Sequence, residues 1–304
     1  MQTVNYDHEP EVGPDARAPT RWGQDRRLEF VDFRLRWDGR LNRGDLTNFF
    51  GISVPQASLD IAKYLEQAPD NAKYDKSSRV YVAGPDFKPL FPGNEPARYL
   101  NELLARATGV LQQELSFLGW LPTVGVVPTP NRTTPVNTLL QLLGAIRQRK
   151  SLRVLYQSMS SPQPSERTIG PHAIAHDGMR WHVRAYCHQR RDYRDFVFAR
   201  FLGVNATDQP GCDGSDDAAW HLTVPLLLAP NPELSPAKQR VIELDYGMTD
   251  GMVTIECRQA LLFYALQRLG LLEDACTVRP EAQQVVLRNR EEIAQHLPKS
   301  SGPR

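Results

Sequence analysis

Between residues 42 and 66 the chain is punctuated so closely that few backbones fit it. Asn42 is of a type that caps helix N-termini, and Gly51 of the type favoured just past a helix end. Ser53 is a second cap, and Pro55 sits in a first helical turn, where a missing N–H costs nothing. The pattern predicts a short helix over Arg43–Phe50, a three-residue turn Gly51-Ile52-Ser53 and a further helix beyond it. In that helix Val54, Ala57, Ile61, Tyr64 and Leu65 form one apolar stripe, with Gln56, Leu59, Asp60 and Lys63 on the opposite face. Upstream, Gln24–Asp38 carries Leu28, Phe30, Val31, Phe33, Leu35 and Trp37 at mixed three and four spacings, which predicts a helix buried over much of its circumference. Downstream, Lys73-Tyr74, the polar turn Asp75–Ser78 and Arg79–Val82 read as a β-hairpin.

Helix, helix, turn, helix, hairpin is the order of a winged helix-turn-helix. In that arrangement the N-terminal end of Ser53–Glu66 enters the major groove of double-stranded DNA. Ser53 stands at its start, Gln56 faces base edges and Leu59 a thymine methyl. Lys63, Lys73, Lys76 and Arg79 then reach phosphates from the helix and the wing. The local balance over residues 21–90 is only +2, so few ionic contacts per protomer are expected. A winged helix that serves protein contacts is the competing reading.

At 304 residues the chain exceeds a single core, and the expected class is α+β multidomain. Residues 1–20 mix Asp, Glu, Pro and Gly and read as a flexible tail, with neither the cationic start nor the apolar centre of a signal peptide. Residues 21–95 form the winged helix, and 96–136 a linker, helical over Pro96–Leu118 and then rich in proline (Pro122, Pro128, Pro130, Pro135). Residues 137–207 open with a helix and continue as short strands at Leu152–Ser158, Arg167–Ala175, Arg180–His188 and Asp195–Val204, the pattern of a small antiparallel barrel. Residues 216–304 alternate strands and helices in a small α+β domain, with an apolar helix face at Leu261, Leu262, Ala265, Leu266 and Leu269. The longest apolar run, Val224–Ala229, is far too short to span a bilayer, so a cytoplasmic protein without membrane contact is expected. Cys187, Cys212, Cys257 and Cys276 form no CxxC pair and read as reduced thiols. Charge is uneven: Ala145–Val204 carries +7 and Asn205–Arg304 carries −5, which implies different partners for the two regions.

The middle region holds the sharpest motif. Arg167-Thr-Ile-Gly-Pro171-His172-Ala-Ile174, then Gly178-Met-Arg-Trp181-His182-Val183-Arg-Ala-Tyr186, then Phe196-Val-Phe198-Ala-Arg200-Phe201 resemble the WYL domain over about 70 residues, from Leu139 to Val204. The tripeptide that names that domain reads Trp181-His182-Val183 here, with His182 in place of the tyrosine. With the winged helix upstream and the acidic α+β domain downstream, the chain most resembles the BrxR and CapW type of repressor encoded beside anti-phage defence systems. That resemblance implies an Sm-like or SH3-like barrel, a C-terminal WCX-like dimerisation domain, a homodimer on an inverted repeat, and repression relieved by a ligand. An activator of the same architecture, or an accessory module that binds nucleic acid to regulate a partner enzyme, remains open.

The residues themselves suit an anion. Tyr156, Ser158, His172, His182, Arg184, Arg194 and Arg200 sit on strands or strand ends, where alternate residues share a face. Guanidinium forks beside hydroxyl and imidazole groups suit phosphate, and neighbouring aromatics suit bases, so a nucleotide or nucleic-acid fragment is the expected effector. Trp181 is expected in the core. No GxSxG, GxxxxGK[ST] or HExxH motif is present. His172 and His176 on a strand stand roughly 13 Å apart, too far to share a metal ion. A Ser158, His172, Asp177 triad has no oxyanion hole to serve it. Neither enzyme activity nor a cofactor or metal is expected.

Overall fold

The computed structural model describes residues 18–130, 132–272 and 279–297. The chain divides into two compact units, residues 1–129 and 130–304.

In the first unit, helix α1 (Ala18–Asp38) precedes a two-residue strand β1 (Arg40–Leu41), then α2 (Arg43–Phe50) and α3 (Val54–Gln67), the hairpin β2 (Ala72–Asp75) and β3 (Val80–Ala83), and α4 (Pro96–Ala107). Helix α1 begins before Gln24, so residues 18–20 of the expected tail are helical, and residues 1–17 lie outside the described residues. The local chemistry is as anticipated. Asn42 and Asp45 form a reciprocal capping box on α2, and Gly51 ends it at φ 64°, a left-handed conformation that glycine adopts without strain. Ser53 Oγ accepts the Gln56 N–H at 3.4 Å to cap α3.

Helix α1 is enclosed on several sides: Leu28, Phe30, Val31, Phe33 and Leu35 are all buried, against Leu41, Leu46, Ala57, Ile61 and Tyr64. The Phe30 ring meets Phe49 at 4.8 Å and Phe117 at 5.2 Å. Asp32, fully buried within this apolar set, accepts from Tyr64 Oη at 2.6 Å, Asn94 Nδ2 at 2.8 Å and the Leu90 N–H at 3.0 Å. Those bonds satisfy a charge that would otherwise be costly and pin the loop before α4.

Three expectations are corrected here. Strand β1, too short to see in the sequence, joins the hairpin in a sheet of order β1-β3-β2. Helix α4 stops at Ala107, and Leu103, Phe117 and Leu118 belong to the core rather than to a linker, because Glu102 accepts from Ser116 Oγ at 2.8 Å and from the Phe117 N–H and so turns Phe117 and Leu118 inward. On α3, Val54 leaves the stripe and Asp60 joins it, as set out below.

The second unit starts with α5 (Val136–Gln148) and five strands: β4 (Lys150–Tyr156), β5 (Ser165–His176), β6 (Trp181–Cys187), β7 (Asp192–Val197) and β8 (Phe201–Pro210). They form one antiparallel sheet of order β7-β6-β5-β4-β8. The single strand expected over Asp195–Val204 is two, broken by a 3-10 turn at Phe198–Arg200. That turn carries the chain from one edge of the sheet to the other, which bends it into a barrel. The Val197 N–H donates to Tyr156 Oη at 3.0 Å and ties the edge strand β7 to β4 across the barrel. Leu142 and Ala145 of α5 close one end over Leu152, Val154, Ile169, Val183, Phe196 and Phe201.

The remainder comprises α6 (Ala218–His221), β9 (Thr223–Pro230), α7 (Pro236–Asp245), β10 (Val253–Arg258), α8 (Leu262–Arg268), β11 (Val285–Leu287) and α9 (Arg290–Ala294). Its sheet runs β10-β9-β11, and Leu262 and Leu266 of α8 are buried against Val224, Leu226 and Leu228 of β9. Cys187, Cys212 and Cys257 are free thiols, and Cys276 lies outside the described residues.

Candidate functional site

Two places bring the sequence-selected residues together, one in each unit. On α3 the buried residues are Ala57, Asp60, Ile61 and Tyr64, while Val54 and Leu59 are 57% and 64% exposed. Val54 stands at the first turn, beyond the reach of the core. Asp60 turns inward because α1 supplies its partners: Arg27 Nε at 2.6 Å and Gln24 Nε2 at 3.2 Å. Gln56 Nε2 also donates to Asp60 at 3.1 Å, and Lys63 Nζ to Gln24 Oε1 at 2.5 Å. The outer face of α3 is therefore held at a fixed angle by a carboxylate bolted to α1. Lys73, Lys76 and Arg79 are exposed on the wing, with Arg79 at φ 59° in its turn.

Two arginines were not singled out by the sequence. Arg40, on β1, pairs across the sheet with Val82, which pairs with Lys73, so the two cations flank one exposed row. Arg43 donates from Nε to Ser58 Oγ at 2.8 Å and lies over the Tyr74 and Tyr81 rings at 5.7 and 5.9 Å. A cation in the first turn of a helix opposes the helix dipole. That misfit was the available signal that Arg43 serves another contact, here a brace between α3 and the wing.

In the second unit a recess of about 60 Å³ opens at the barrel seam. It is lined by Tyr156, Ser158, His182, Arg194 and Arg200, together with four polar residues outside the sequence selection: Ser160, Arg167, Asp195 and Tyr264. Tyr156 supplies its floor, packed edge-on against Phe196 and Phe201 and covered by the Arg167 guanidinium at 5.7 Å. Ser158 and Ser160 share a hydroxyl hydrogen bond of 2.8 Å. Three guanidinium groups face one carboxylate, so the recess favours an anion. Its volume admits roughly four waters, the bulk of a phosphate group and less than that of a nucleoside. Arg167 was detectable in the motif that begins with it; Tyr264 was not, because it is 69 residues from its partner Asp195.

His172 and Arg184 do not reach this recess, contrary to expectation. Arg184 forms a two-pronged pair with Asp217, 2.7 Å from Nε to Oδ2 and 2.9 Å from Nη2 to Oδ1, and contacts Asp195 at 3.2 Å through Nη1. His172 Nε2 lies 3.0 Å from Asp217 Oδ2. The physical reason is that the segment 211–221 lies over Arg184 and His172 and draws both to Asp217, whereas His182, two residues before Arg184 on the same face of β6, stays at the recess. Gly214 makes the covering possible: at φ +81°, a Cβ there would lie 2.3 Å from His172 Nδ1. Burial works to raise the Asp217 carboxyl, but the bonds from His172 and Arg184 hold it well below the usual range. Trp181, expected in the core, is 53% exposed and packs on His176.

His182 is buried between the recess and Asp177, whose Oδ2 is 2.8 Å from Nε2. Its Nδ1 has no partner among the described residues, which assigns the ring proton to Nε2. Burial lowers the imidazole pKa below its usual 6.5 despite the opposing pull of Asp177. The folded protein thus refuses a proton that the unfolded chain accepts, and stability falls as pH drops below about 6.5. Melting temperature measured from pH 7.5 to 5.0 is expected to decline more steeply for the wild type than for His182→Gln. Parallel declines would contradict the assignment.

Family models match three successive regions of the chain. Residues 23–105 match the BrxR transcriptional regulator winged helix-turn-helix domain, residues 137–206 the WYL domain, and residues 223–293 the BrxR transcriptional regulator C-terminal dimerization domain. The chain is 47% identical over 280 residues to the DNA-binding transcriptional repressor CapW of Escherichia coli, covering 91% of this chain and 93% of that one. The CapW of Pseudomonas aeruginosa gives the same identity and coverage, and that of Stenotrophomonas maltophilia is 46% identical over 92% of this chain and 94% of its own. A solved structure of the proteasome accessory factor B/C (PafBC) of Arthrobacter aurescens overlaps 95% of this chain and 50% of that chain at 16% identity, with a TM-score of 0.26. On the strength of a winged helix, a WYL barrel and a C-terminal dimerisation domain in one chain, and of near-full-length identity to CapW, this protein belongs to the BrxR and CapW family of WYL-domain transcriptional repressors.

Proposed function

We propose that the chain works as a homodimeric repressor of a phage-defence operon, released from its operator when a nucleotide or nucleic-acid fragment enters the barrel recess. Two winged helices, one per protomer, would read half-sites of an inverted repeat about 34 Å apart or a multiple of it. Ser53, Gln56 and Leu59 would face bases, and Lys63, Lys73, Lys76 and Arg79 phosphates. Val241, Leu244 and Tyr246 on and after α7 and Ile255 on β10 are exposed apolar side chains that suit the dimer contact of the C-terminal domain. In this reading residues 21–95 bind DNA, 137–207 sense the ligand and 216–304 dimerise. The absence, among the described residues, of a helix long and apolar enough to cross a membrane is consistent with it.

The observation that carries the reading is the convergence of Arg167, Arg194 and Arg200 with Ser158 and Tyr156 on one recess. A recess of that kind, in a chain that also presents an exposed recognition helix, gives an effector a place to act apart from the DNA. A ligand releases DNA only if it binds the two states of the dimer with different affinity.

The test is a footprint on the DNA upstream of the protein's own gene, followed by titration with short single-stranded oligonucleotides. A protected inverted repeat, lost with Gln56→Ala and released by oligonucleotide in the wild type but not in Arg200→Ala, is expected. Equal binding to unrelated DNA would favour an accessory module that regulates a partner enzyme, and stimulated transcription from the bound promoter an activator.

A further inference from the structure

The recess has one wall that does not come from the barrel. Tyr264 belongs to α8, in the C-terminal domain, whereas Tyr156, Ser158, Arg167, Arg194 and Arg200 all lie on the barrel strands or the turns that join them. Its hydroxyl donates to Asp195 Oδ2 at 3.2 Å, and its ring lies 4.8 Å from that of His182. Asp195 is itself a lining residue, and its other oxygen faces Arg184 at 3.2 Å. Arg184 in turn grips Asp217, the residue that caps α6. A continuous set of hydrogen bonds therefore leads from the recess into the C-terminal domain at two points, Tyr264 and Asp217.

We infer that Tyr264 is a ligand-binding residue of the barrel site and the one that reports its occupancy to the C-terminal domain: a phosphate group entering the recess takes the Tyr264 hydroxyl away from Asp195. This inference rests on the ligand reading proposed above. Its physical basis is that Asp195 and an incoming phosphate are both anions and both acceptors, and the Tyr264 hydroxyl is a single donor lying between them. The same hydroxyl cannot serve two acceptors at full strength, and charge on a phosphate oxygen exceeds that on a carboxylate already paired with Arg184. Exchange of the bond re-anchors α8 from the Asp195 carboxylate to the bound phosphate. That is a differential contact between the empty and the filled protein, which is what coupling requires. Burial raises the Tyr264 phenol above its usual pKa, so the group remains a donor at any physiological pH. The recess admits a phosphate but not a nucleoside, so the base of a nucleotide would remain at the mouth.

The test uses the full-length protein and 5′-phosphorylated tetrathymidylate as probe, with the unphosphorylated oligomer beside it. Calorimetry on wild type, Tyr264→Phe and Arg200→Ala gives affinity, and hydrogen exchange of the α8 peptides with and without probe gives the response. The phenylalanine keeps the ring on His182 and removes only the donor, so binding is expected to weaken by up to about ten-fold, the worth of one hydrogen bond to a charged group less that of the Asp195 bond the wild type gives up. In the wild type the probe changes the exchange rate of the α8 peptides, and in Tyr264→Phe the probe leaves α8 unchanged. Asp195→Asn supplies a second variant: with the competing charge removed, the probe binds more tightly than to wild type. Tyr264→Phe binding as wild type does, or no response of α8 in the wild type, would overturn the inference while leaving the recess as a ligand site. Loss of the probe in Arg200→Ala supports that site. Absence of binding to wild type, or binding undiminished in Arg200→Ala, removes the ligand reading and this inference with it. Equal affinity for the unphosphorylated oligomer, which keeps its internal phosphodiesters, overturns the assignment of a terminal phosphate.

Discussion

Replacing Arg184 with methionine is expected to destabilise the second unit by about 3–5 kcal/mol, the usual cost of removing one partner from a buried ion pair. Arg184 is 4% exposed and answers two carboxylates, Asp217 and Asp195. Methionine has a similar length but leaves two carboxylates, each at most 5% exposed, without its charge. Among the described residues Asp217 would retain His172 and the Trp220 N–H, and Asp195 would retain Tyr264. Lysine at this position keeps the charge but not the fork, and is expected to recover less than half of the loss, because one ammonium cannot span both Asp217 oxygens and Asp195. Denaturant titration of the wild type and the two variants measures this directly. A loss of under about 1 kcal/mol in the methionine variant would show that the pair contributes no more than a surface salt bridge.

The second large effect concerns DNA. The triple variant Lys63→Ala, Lys76→Ala, Arg79→Ala removes three cations per protomer and six per proposed dimer from the proposed phosphate contacts. Each neutralised phosphate adds about 0.9 to the slope of log K against log salt, so the slope is expected to fall by roughly 5. Near 0.15 M salt this is a loss of several orders of magnitude in operator affinity. Gln56→Ala behaves differently: a base contact is worth about 1–3 kcal/mol of discrimination and leaves the salt slope unchanged. Filter binding or a gel shift over a salt series, on the upstream DNA and on unrelated DNA, separates the two. If the triple variant keeps the wild-type slope, those three side chains do not touch phosphate, and Arg40 and Arg43 become the cations to examine.

Much of this architecture was legible in the sequence, for reasons of range. Caps, turns and stripes act over a few residues, so Asn42, Gly51, Ser53 and Pro55 determined two helices and the turn between them before any packing was considered. Alternation and turn chemistry did the same for most strands, and the motif from Arg167 to Phe201 identified the barrel. The misreadings share one cause. Asp60 was assigned to the solvent face because it is charged; Arg27, 33 residues away, makes it a buried anchor. Phe117 and Leu118 were given to a linker because Glu102, which turns them inward, lies in another element. One strand was read across Phe198–Arg200 because nothing local shows that its two halves pair with opposite edges of a sheet.

The candidate ligand site follows the same division. Sequence selected the residue types that suit an anion and brought Tyr156, Ser158, His182, Arg194 and Arg200 into consideration. Only the tertiary structure decided that Arg184 and His172 turn away from them toward Asp217, and that Arg167 and Tyr264 join the recess. Backbone periodicity determines which face of a strand a side chain occupies. What lies over that face depends on a segment 33 residues along the chain, and no local pattern encodes that.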